Sequence, residues 1–126
     1  MNDDATDEPL REALRPPGPV EIGLDASRNQ DFVTIAVEGE LDLLTAPKLA
    51  ARITEFLRER PADVLVDLGP TDFIDSAGLA ILLNVQRRVE RSGKRLRVVC
   101  DEGPVRRVIE LARLEETLGL VPSAST

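Results

Sequence analysis

The first regular pattern along the chain is an alternation of apolar and polar residues. Apolar residues occupy every second position from Val20 to Leu24, which is typical of a half-buried strand. A polar stretch from Asp25 to Asp31 indicates a turn, and the β-rich run from Phe32 to Glu38 predicts a second strand. Together these segments predict an N-terminal hairpin.

Beyond the hairpin, segments with helical spacing of apolar residues alternate with short apolar runs. The helix starts are marked by residues such as Thr45 and Pro47, since threonine can cap a helix and proline is tolerated in its first turn. The predicted elements are a helix from about Thr45 to Pro61, a strand over Val64–Leu68, a helix over about Ser76–Ser92, a strand over Leu96–Cys100, a helix starting near Gly103 and Pro104, and a last turn or strand over Leu118–Val121.

This order predicts an α/β fold with one mixed, mostly parallel sheet of four to five strands and three to four helices. The domain is expected over residues 20–121. Residues 1–19 are acidic and proline-rich and have few periodic apolar positions, apart from one helical turn over Glu8–Leu14. We therefore expect a disordered N-terminal tail over residues 1–19 and a short disordered C-terminal tail over residues 122–126.

The missing residue types exclude several classes of function. The chain has no histidine and a single cysteine, Cys100, so Ser-His-Asp and Cys-His catalytic arrangements and histidine or thiolate metal sites are excluded. It has no apolar run of the length that crosses a membrane and no signal-peptide pattern. We expect a cytoplasmic protein without a membrane partner, and without a metal or other cofactor.

The distribution of charge argues against nucleic acid as a partner, because phosphate binding needs a basic face. The formal net charge is −7. Residues 21–75 carry 12 acidic and 5 basic side chains, whereas residues 76–121 carry 6 acidic and 9 basic ones. We expect the basic excess of the second half to be mostly solvated surface.

Polar residues follow two of the predicted strands at their carboxyl ends. Because such ends meet at one edge of a parallel sheet, the loop over Gly39–Asp42 and the loop over Thr71–Ser76 should converge there. The residues that this edge collects are Glu40, Asp42, Asp72, Asp75 and Ser76. Paired carboxylates can serve a metal or general acid–base chemistry, but aspartate is also common in turns before helices.

Ser76 opens a predicted helix, where unpaired N–H groups and the helix dipole favour a phosphate. The commonest role of a serine at this position is to cap the helix. The two interpretations are compatible, because a capping hydroxyl at a loop edge can still be reached by a kinase. We interpret Ser76 as a candidate phosphorylation site.

The residues around Ser76 resemble a known family. The segment Phe73-Ile74-Asp75-Ser76-Ala77-Gly78-Leu79 is preceded by Gly39-Glu40-Leu41-Asp42 and by Thr45-Ala46-Pro47. This combination resembles the STAS domain, and more narrowly the bacterial anti-sigma factor antagonists, over roughly Val20 to Val121. The resemblance implies a single STAS-type domain.

The resemblance also implies a function and partners. An anti-sigma factor antagonist binds an anti-sigma factor, often one with serine kinase activity, and so releases a sigma factor for transcription. The kinase uses ATP to phosphorylate the serine that matches Ser76, which switches binding off, and a PP2C-type phosphatase reverses the modification. Glu40, Asp42, Asp72, Asp75, Ala77 and Gly78 form the expected surroundings of the phosphosite and the partner surface. Ala77 stands where some members have a second serine, which leaves Ser76 as the one candidate hydroxyl.

Two other functions remain open from the sequence. One is a constitutive STAS scaffold or transport-complex subunit that phosphorylation does not regulate. The other is an enzyme or nucleotide-binding domain that uses the acidic edge, although the chain lacks a P-loop lysine pattern and an activated nucleophile. We expect a non-enzymatic regulator that is a monomer or a weak dimer.

Overall fold

The computed structural model describes residues 22–30 and 32–123. The predicted acidic tail over residues 1–19, the expected domain start at Val20 and residues 124–126 of the predicted C-terminal tail lie outside the described residues. At the C-terminal end of the described part, Ser123 donates hydrogen bonds from its backbone N and its hydroxyl to the carboxylate of Asp101, at 2.9 and 2.7 Å.

The predicted hairpin is present, but its first strand is longer than the sequence pattern indicates. Strand β1 (Ile22–Asn29) pairs antiparallel with strand β2 (Phe32–Leu41), from Ile22 opposite Gly39 to Asn29 opposite Phe32. The turn predicted over Asp25–Asp31 is therefore wrong for most of its length. Polar residues at every second position of this stretch project from the sheet on one side, so a polar composition does not mark a turn here.

The rest of the described chain follows the predicted alternation of helices and strands, apart from one added strand. The elements are helix α1 (Ala46–Glu59), strand β3 (Asp63–Asp67), strand β4 (Thr71–Ile74), helix α2 (Ser76–Arg91), strand β5 (Leu96–Val99), helix α3 (Pro104–Leu111) and strand β6 (Leu120–Val121). The sheet order is β1-β2-β3-β5-β6, with all pairs beyond the hairpin parallel, and β4 pairs with β2. The predicted α/β class with a mixed, mostly parallel sheet is confirmed.

The described residues form six strands, whereas the sequence predicts four to five. The additional strand is β4, in a segment that the apolar pattern assigns to a loop. β2 is long enough to pair with β3 through its first half and with β4 through its last residues, Gly39 to Leu41. β3 and β4 thus follow each other along the same side of β2.

The core lies between one face of the sheet and the helices. The face consists of alternate residues of the central strands, and apolar residues of α1, α2 and α3 pack against it. Among the fully buried side chains are Val33, Ile35, Val66, Val98, Leu49, Ile53, Leu82 and Ile109. No helix in the described part of the chain is both long and apolar enough to span a bilayer.

The end of α1 is held by an arginine from the hairpin. Arg28 of β1, whose side chain is only 9% exposed, donates hydrogen bonds to the carbonyl oxygens of Phe56, Arg60 and Pro61 at 2.7, 2.9 and 3.2 Å. The last carbonyl groups of a helix have no partner within the helix, and a cation is favourable there because of the helix dipole. Arg28 therefore ties the hairpin to α1.

We expect Arg28→Met to lower the free energy of unfolding by about 2 kcal/mol, because the partly buried bond to the Phe56 carbonyl and the two exposed bonds to Arg60 and Pro61 are lost while an apolar stem is kept. Urea unfolding followed by circular dichroism measures this change. Arg58→Met removes an exposed arginine from the last turn of the same helix and should change stability by less than about 0.5 kcal/mol. Equal effects of the two substitutions would contradict the role of Arg28.

Candidate functional site at the carboxyl edge of the sheet

Pairing between β2 and β4 brings together the two segments that the sequence places at one edge of the sheet. Glu40 lies opposite Phe73, and Leu41 lies opposite Ile74. Directly after these pairs, the backbone N of Asp75 donates to the carbonyl oxygen of Leu41 at 3.3 Å. The loop that leads into α1 and the start of α2 are thereby neighbours.

An irregularity in this pairing exposes two residues of β4. Gly39 lies opposite Thr71 and the next residue, Glu40, lies opposite Phe73, so Asp72 has no partner and forms a bulge. Both Asp72 and Phe73 are exposed, whereas Thr71 and Ile74 at the strand ends are buried. The bulge thus exposes an acidic and an aromatic side chain next to the start of α2.

The cap of α2 is Asp75, which corrects the interpretation of Ser76 as the capping residue. The Asp75 carboxylate accepts a hydrogen bond from the backbone N of Gly78 at 2.9 Å, and the Asp75 carbonyl accepts from the backbone N of Leu79 at 3.0 Å. Ser76 is the first helical residue and is exposed. Within residues 22–30 and 32–123, its hydroxyl group makes no hydrogen bond.

Asp42 has a structural role in the neighbouring loop. Its carboxylate oxygen Oδ1 accepts hydrogen bonds from the backbone N of Leu44 and of Thr45, both at 3.0 Å. The buried Thr45 hydroxyl accepts from the backbone N of Asp42 at 2.9 Å and donates to the carbonyl oxygen of Glu40. Thr45 stands at the N-cap position of α1 as predicted, but its side chain stabilises the loop rather than the helix N–H groups.

Gly78 allows the first turn of α2 to lie against the end of β2. A Cβ atom at this position would lie 2.4 Å from the carbonyl oxygen of Leu41 and 2.8 Å from Cγ1 of Ile74. The nearer atom belongs to the backbone, so no side-chain rotation can relieve the overlap. Gly78 therefore fixes where Ser76 is held relative to the loop that contains Asp42.

Three large apolar side chains are exposed around this site. Leu43 and Leu44 in the loop after β2 are 71% and 53% exposed, and Phe73 of β4 is 47% exposed. We call these three residues the apolar patch. Sequence analysis did not assign them to a surface; the available signal was a pair of leucines inside a short loop that otherwise consists of polar residues.

The acidic residues of the edge do not converge on a metal ion. Glu40 and Asp72 are exposed, and Asp42 and Asp75 use their carboxylates to hold backbone N–H groups. Among the described residues, no group of three or more acidic, histidine or cysteine side chains is arranged to hold a metal. The single cysteine, Cys100, is buried directly after β5, and burial raises the pKa of its thiol.

Comparison with known families assigns the chain to a class. The family described as "Mlab, STAS domain" matches residues 24–122, which include every described strand and helix except the first residues of β1. The chain belongs to the STAS domain family, as its motif predicts.

Curated relatives and solved structures give more detail. The chain is 30% identical over 102 residues to the anti-sigma-F factor antagonist RsfB of Mycobacterium tuberculosis, with 81% of this chain and 83% of RsfB covered. A crystal structure of an anti-sigma factor antagonist from Mycobacterium paratuberculosis matches with a TM-score of 0.72 and 29% identity, over 84% of this chain and 90% of that one.

Unphosphorylated SpoIIAA, also described as an anti-sigma factor antagonist, matches with a TM-score of 0.67 and 21% identity, over 82% of this chain and 88% of that one. At this identity the match supports the fold alone. The expected similarity to anti-sigma factor antagonists is confirmed by the relatives of higher identity.

We expect Gly78→Ala to destabilise the domain by at least about 2 kcal/mol, because the new methyl group overlaps the Leu41 carbonyl. Helix propensity alone predicts the opposite sign, a gain of about 1 kcal/mol. Urea unfolding of both proteins measures the difference. Asn84→Ala, at an exposed position of the same helix, is the control and should stabilise slightly; a stabilising Gly78→Ala would show that the close approach does not constrain α2.

Proposed function

We propose that this protein is a non-enzymatic anti-sigma factor antagonist whose binding to its anti-sigma factor is controlled by phosphorylation of Ser76. The observation that carries the proposal is the exposed hydroxyl group of Ser76 at the first position of α2, which makes no hydrogen bond to any residue that the structure describes. The names of RsfB and of the mycobacterial structure support the anti-sigma factor as the class of partner.

The geometry of the helix start leaves the Ser76 hydroxyl free to react. Asp75 already supplies the cap, so phosphorylation of Ser76 would break no hydrogen bond of the described domain. A kinase would transfer the γ-phosphoryl group of ATP to Oγ of Ser76, the hydroxyl proton would pass to a base of the kinase, and ADP would leave. We propose that the kinase is the anti-sigma factor itself and that a PP2C-type phosphatase hydrolyses the phosphoserine back to serine and phosphate.

The apolar patch supplies a surface on which a protein partner can dock. Leu43, Leu44 and Phe73 are exposed on the two segments that flank the start of α2. Clusters of exposed apolar side chains with polar residues around them are typical of protein–protein interfaces, where a few large side chains contribute most of the binding free energy. Glu40 and Asp72 provide the polar rim.

Charge explains how one phosphate would switch binding off. A phosphoserine adds a charge of about −1.5 to −2 at neutral pH. Two like unit charges about 6 Å apart repel by roughly 3 kcal/mol at an effective dielectric constant near 20. Each 1.4 kcal/mol changes affinity about tenfold, so a single carboxylate of the partner facing Ser76 would reduce affinity about a hundredfold.

Inside the domain, the same phosphate would be tolerated. The N-terminus of α2 carries partial positive charge, which favours a negatively charged group near its first turn. We therefore expect a large loss of affinity with little change in the fold.

The first test compares binding of Ser76 variants to purified anti-sigma factors from the same genome by calorimetry. Ser76→Asp should weaken binding to the cognate factor about a hundredfold, because it places a fixed negative charge at the site, while Ser76→Ala should bind as the unmodified protein does. Ser27→Asp, at an exposed position of β1, is the control for added charge and should bind normally. Equal binding of Ser76→Asp and Ser76→Ala would instead favour a constitutive scaffold.

The second test concerns the apolar patch. Leu43→Ser, Leu44→Ser and Phe73→Ser should each weaken binding to the same anti-sigma factor by about 1–2 kcal/mol, since each removes an exposed anchor without touching the core. Leu111→Ser makes the same chemical change at a 78% exposed leucine at the C-terminal end of α3 and should leave affinity unchanged. A result in which Leu111→Ser weakens binding most would place the interface elsewhere.

A further inference from the structure

The topology of the sheet leaves one of its faces without a covering helix. From β2 onward each new strand is added on the same side, in the order β2-β3-β5-β6. Because the crossovers between parallel strands are right-handed, α1, α2 and α3 all lie on one face. The other face, which we call the open face, presents Phe32, Thr34, Ala36, Leu65, Arg97 and Val121, together with the acidic residues Asp25, Glu38, Asp63 and Asp67.

The parallel part of the open face keeps apolar area of the kind that parallel sheets normally cover. Parallel sheets occur almost only with both faces buried, whereas it is antiparallel sheets that commonly face water. Phe32 is 44% exposed, and Ala36, Leu65 and Val121 are half-buried, although no described helix packs on them. Apolar area therefore remains available on the parallel part of this sheet.

One end of the open face is basic. A shallow cavity of about 650 Å³ lies there, lined by Phe32, Leu65 and Val121 and by the positively charged Lys94, Arg95 and Arg97. The acidic residue in this lining, Asp63, accepts a hydrogen bond from the backbone N of Arg95 at 2.9 Å. An acidic segment with apolar side chains fits this combination of charge and apolar area.

The chain itself contains such a segment outside the described residues. Residues 1–20 carry five acidic side chains and two basic ones, with the acids mostly in the first half. Leu10, Ala13 and Leu14 have the three- and four-residue spacing that places apolar side chains on one side of a helix. The family match begins only at residue 24, so this segment is an addition to the common domain.

The segment joins the sheet at Ile22, from where the open face is within its reach. Ile22 lies opposite Gly39, at the carboxyl edge, which carries the exposed acidic residues Glu40 and Asp72. That edge, and Asp25 and Glu38 in the neighbouring half of the open face, repel an acidic segment, whereas Lys94, Arg95 and Arg97 at the opposite end attract it. The length suffices, because the eight residues from Leu14 to Ile22 reach about 28 Å when extended, about the length of β1.

We propose that residues 3–14 of this chain dock on the open face, with Leu10 and Leu14 against Phe32 and Leu65 and the acidic residues towards Lys94, Arg95 and Arg97. The occupant is this protein's own N-terminal segment. Docking covers the apolar part of the parallel sheet and neutralises its basic end.

Limited proteolysis of the full chain tests the proposal, with cleavage by trypsin between Arg11 and Glu12 followed by mass spectrometry. A synthetic peptide of residues 1–20 gives the cleavage rate of the undocked segment. Docking should slow cleavage in the full chain at least about tenfold relative to the peptide, because trypsin cuts only the released segment. Leu65→Asn and Arg97→Glu should restore the peptide's rate while leaving the cleaved sequence unchanged.

Leu111→Asn is the matched control, since it makes the same change as Leu65→Asn at an exposed leucine of α3, and it should keep the protection. Circular dichroism checks that each variant is folded, and Arg97→Glu, at an exposed position, provides the decisive result if Leu65→Asn does not fold. Cleavage of the full chain at the peptide's rate would overturn the proposal. Protection that grows with protein concentration would also overturn it, because a second copy would then be the occupant.

Discussion

The close approach of α2 to the end of β2 is the constraint on which the site depends. The carbonyl oxygen of Leu41 accepts a hydrogen bond from Asp75, and the same oxygen leaves no space for a side chain at position 78. Without a glycine there, the first turn of α2 would move outwards and the two loops would separate. Leu41, which is distant in sequence, thus fixes the position of the Ser76 hydroxyl through its contacts with Asp75 and Gly78.

At this site, the residues that hold the loops differ from the residue that is available for modification. Asp42 and Asp75 each use a carboxylate to satisfy backbone N–H groups, so these aspartates build the loops rather than react. Ser76, which follows Asp75 at the start of α2, is left with an exposed hydroxyl. A site arranged in this way can gain and lose a charged group while the hydrogen bonds that define its shape stay intact, which suits a reversible signal.

Sequence reasoning predicted the elements whose apolar pattern extends over many residues. It missed the features that depend on one or a few residues. The three helices and the parallel strands follow from apolar periodicity. β4 was missed because it has four residues and a bulge at Asp72 interrupts its alternation. The extension of β1 was missed because its polar residues on the open face resemble those of a turn.

Within the site, the motif predicted the right segments but not the division of roles. Aspartate and serine are equally good N-caps, so adjacent positions 75 and 76 cannot be distinguished without the backbone dihedral angles. Leu43 and Leu44 gave no periodic signal, since apolar residues in a short loop belong to neither a helical nor a strand pattern. Their exposure depends on the conformation of the loop, which the hydrogen bonds of Asp42 and Thr45 determine.

The strand order has a consequence for how the domain is assembled during synthesis. Since the sheet grows in the order β1-β2-β3-β5-β6, each strand that leaves the ribosome meets a neighbour that is already in place, and no earlier pair has to open. The last strand has only two residues, and the bonds from Ser123 to Asp101 fasten the chain just beyond it. Until that fastening forms, β5 has an unpaired edge, so a nascent chain stalled before Leu120 would be prone to aggregate through it.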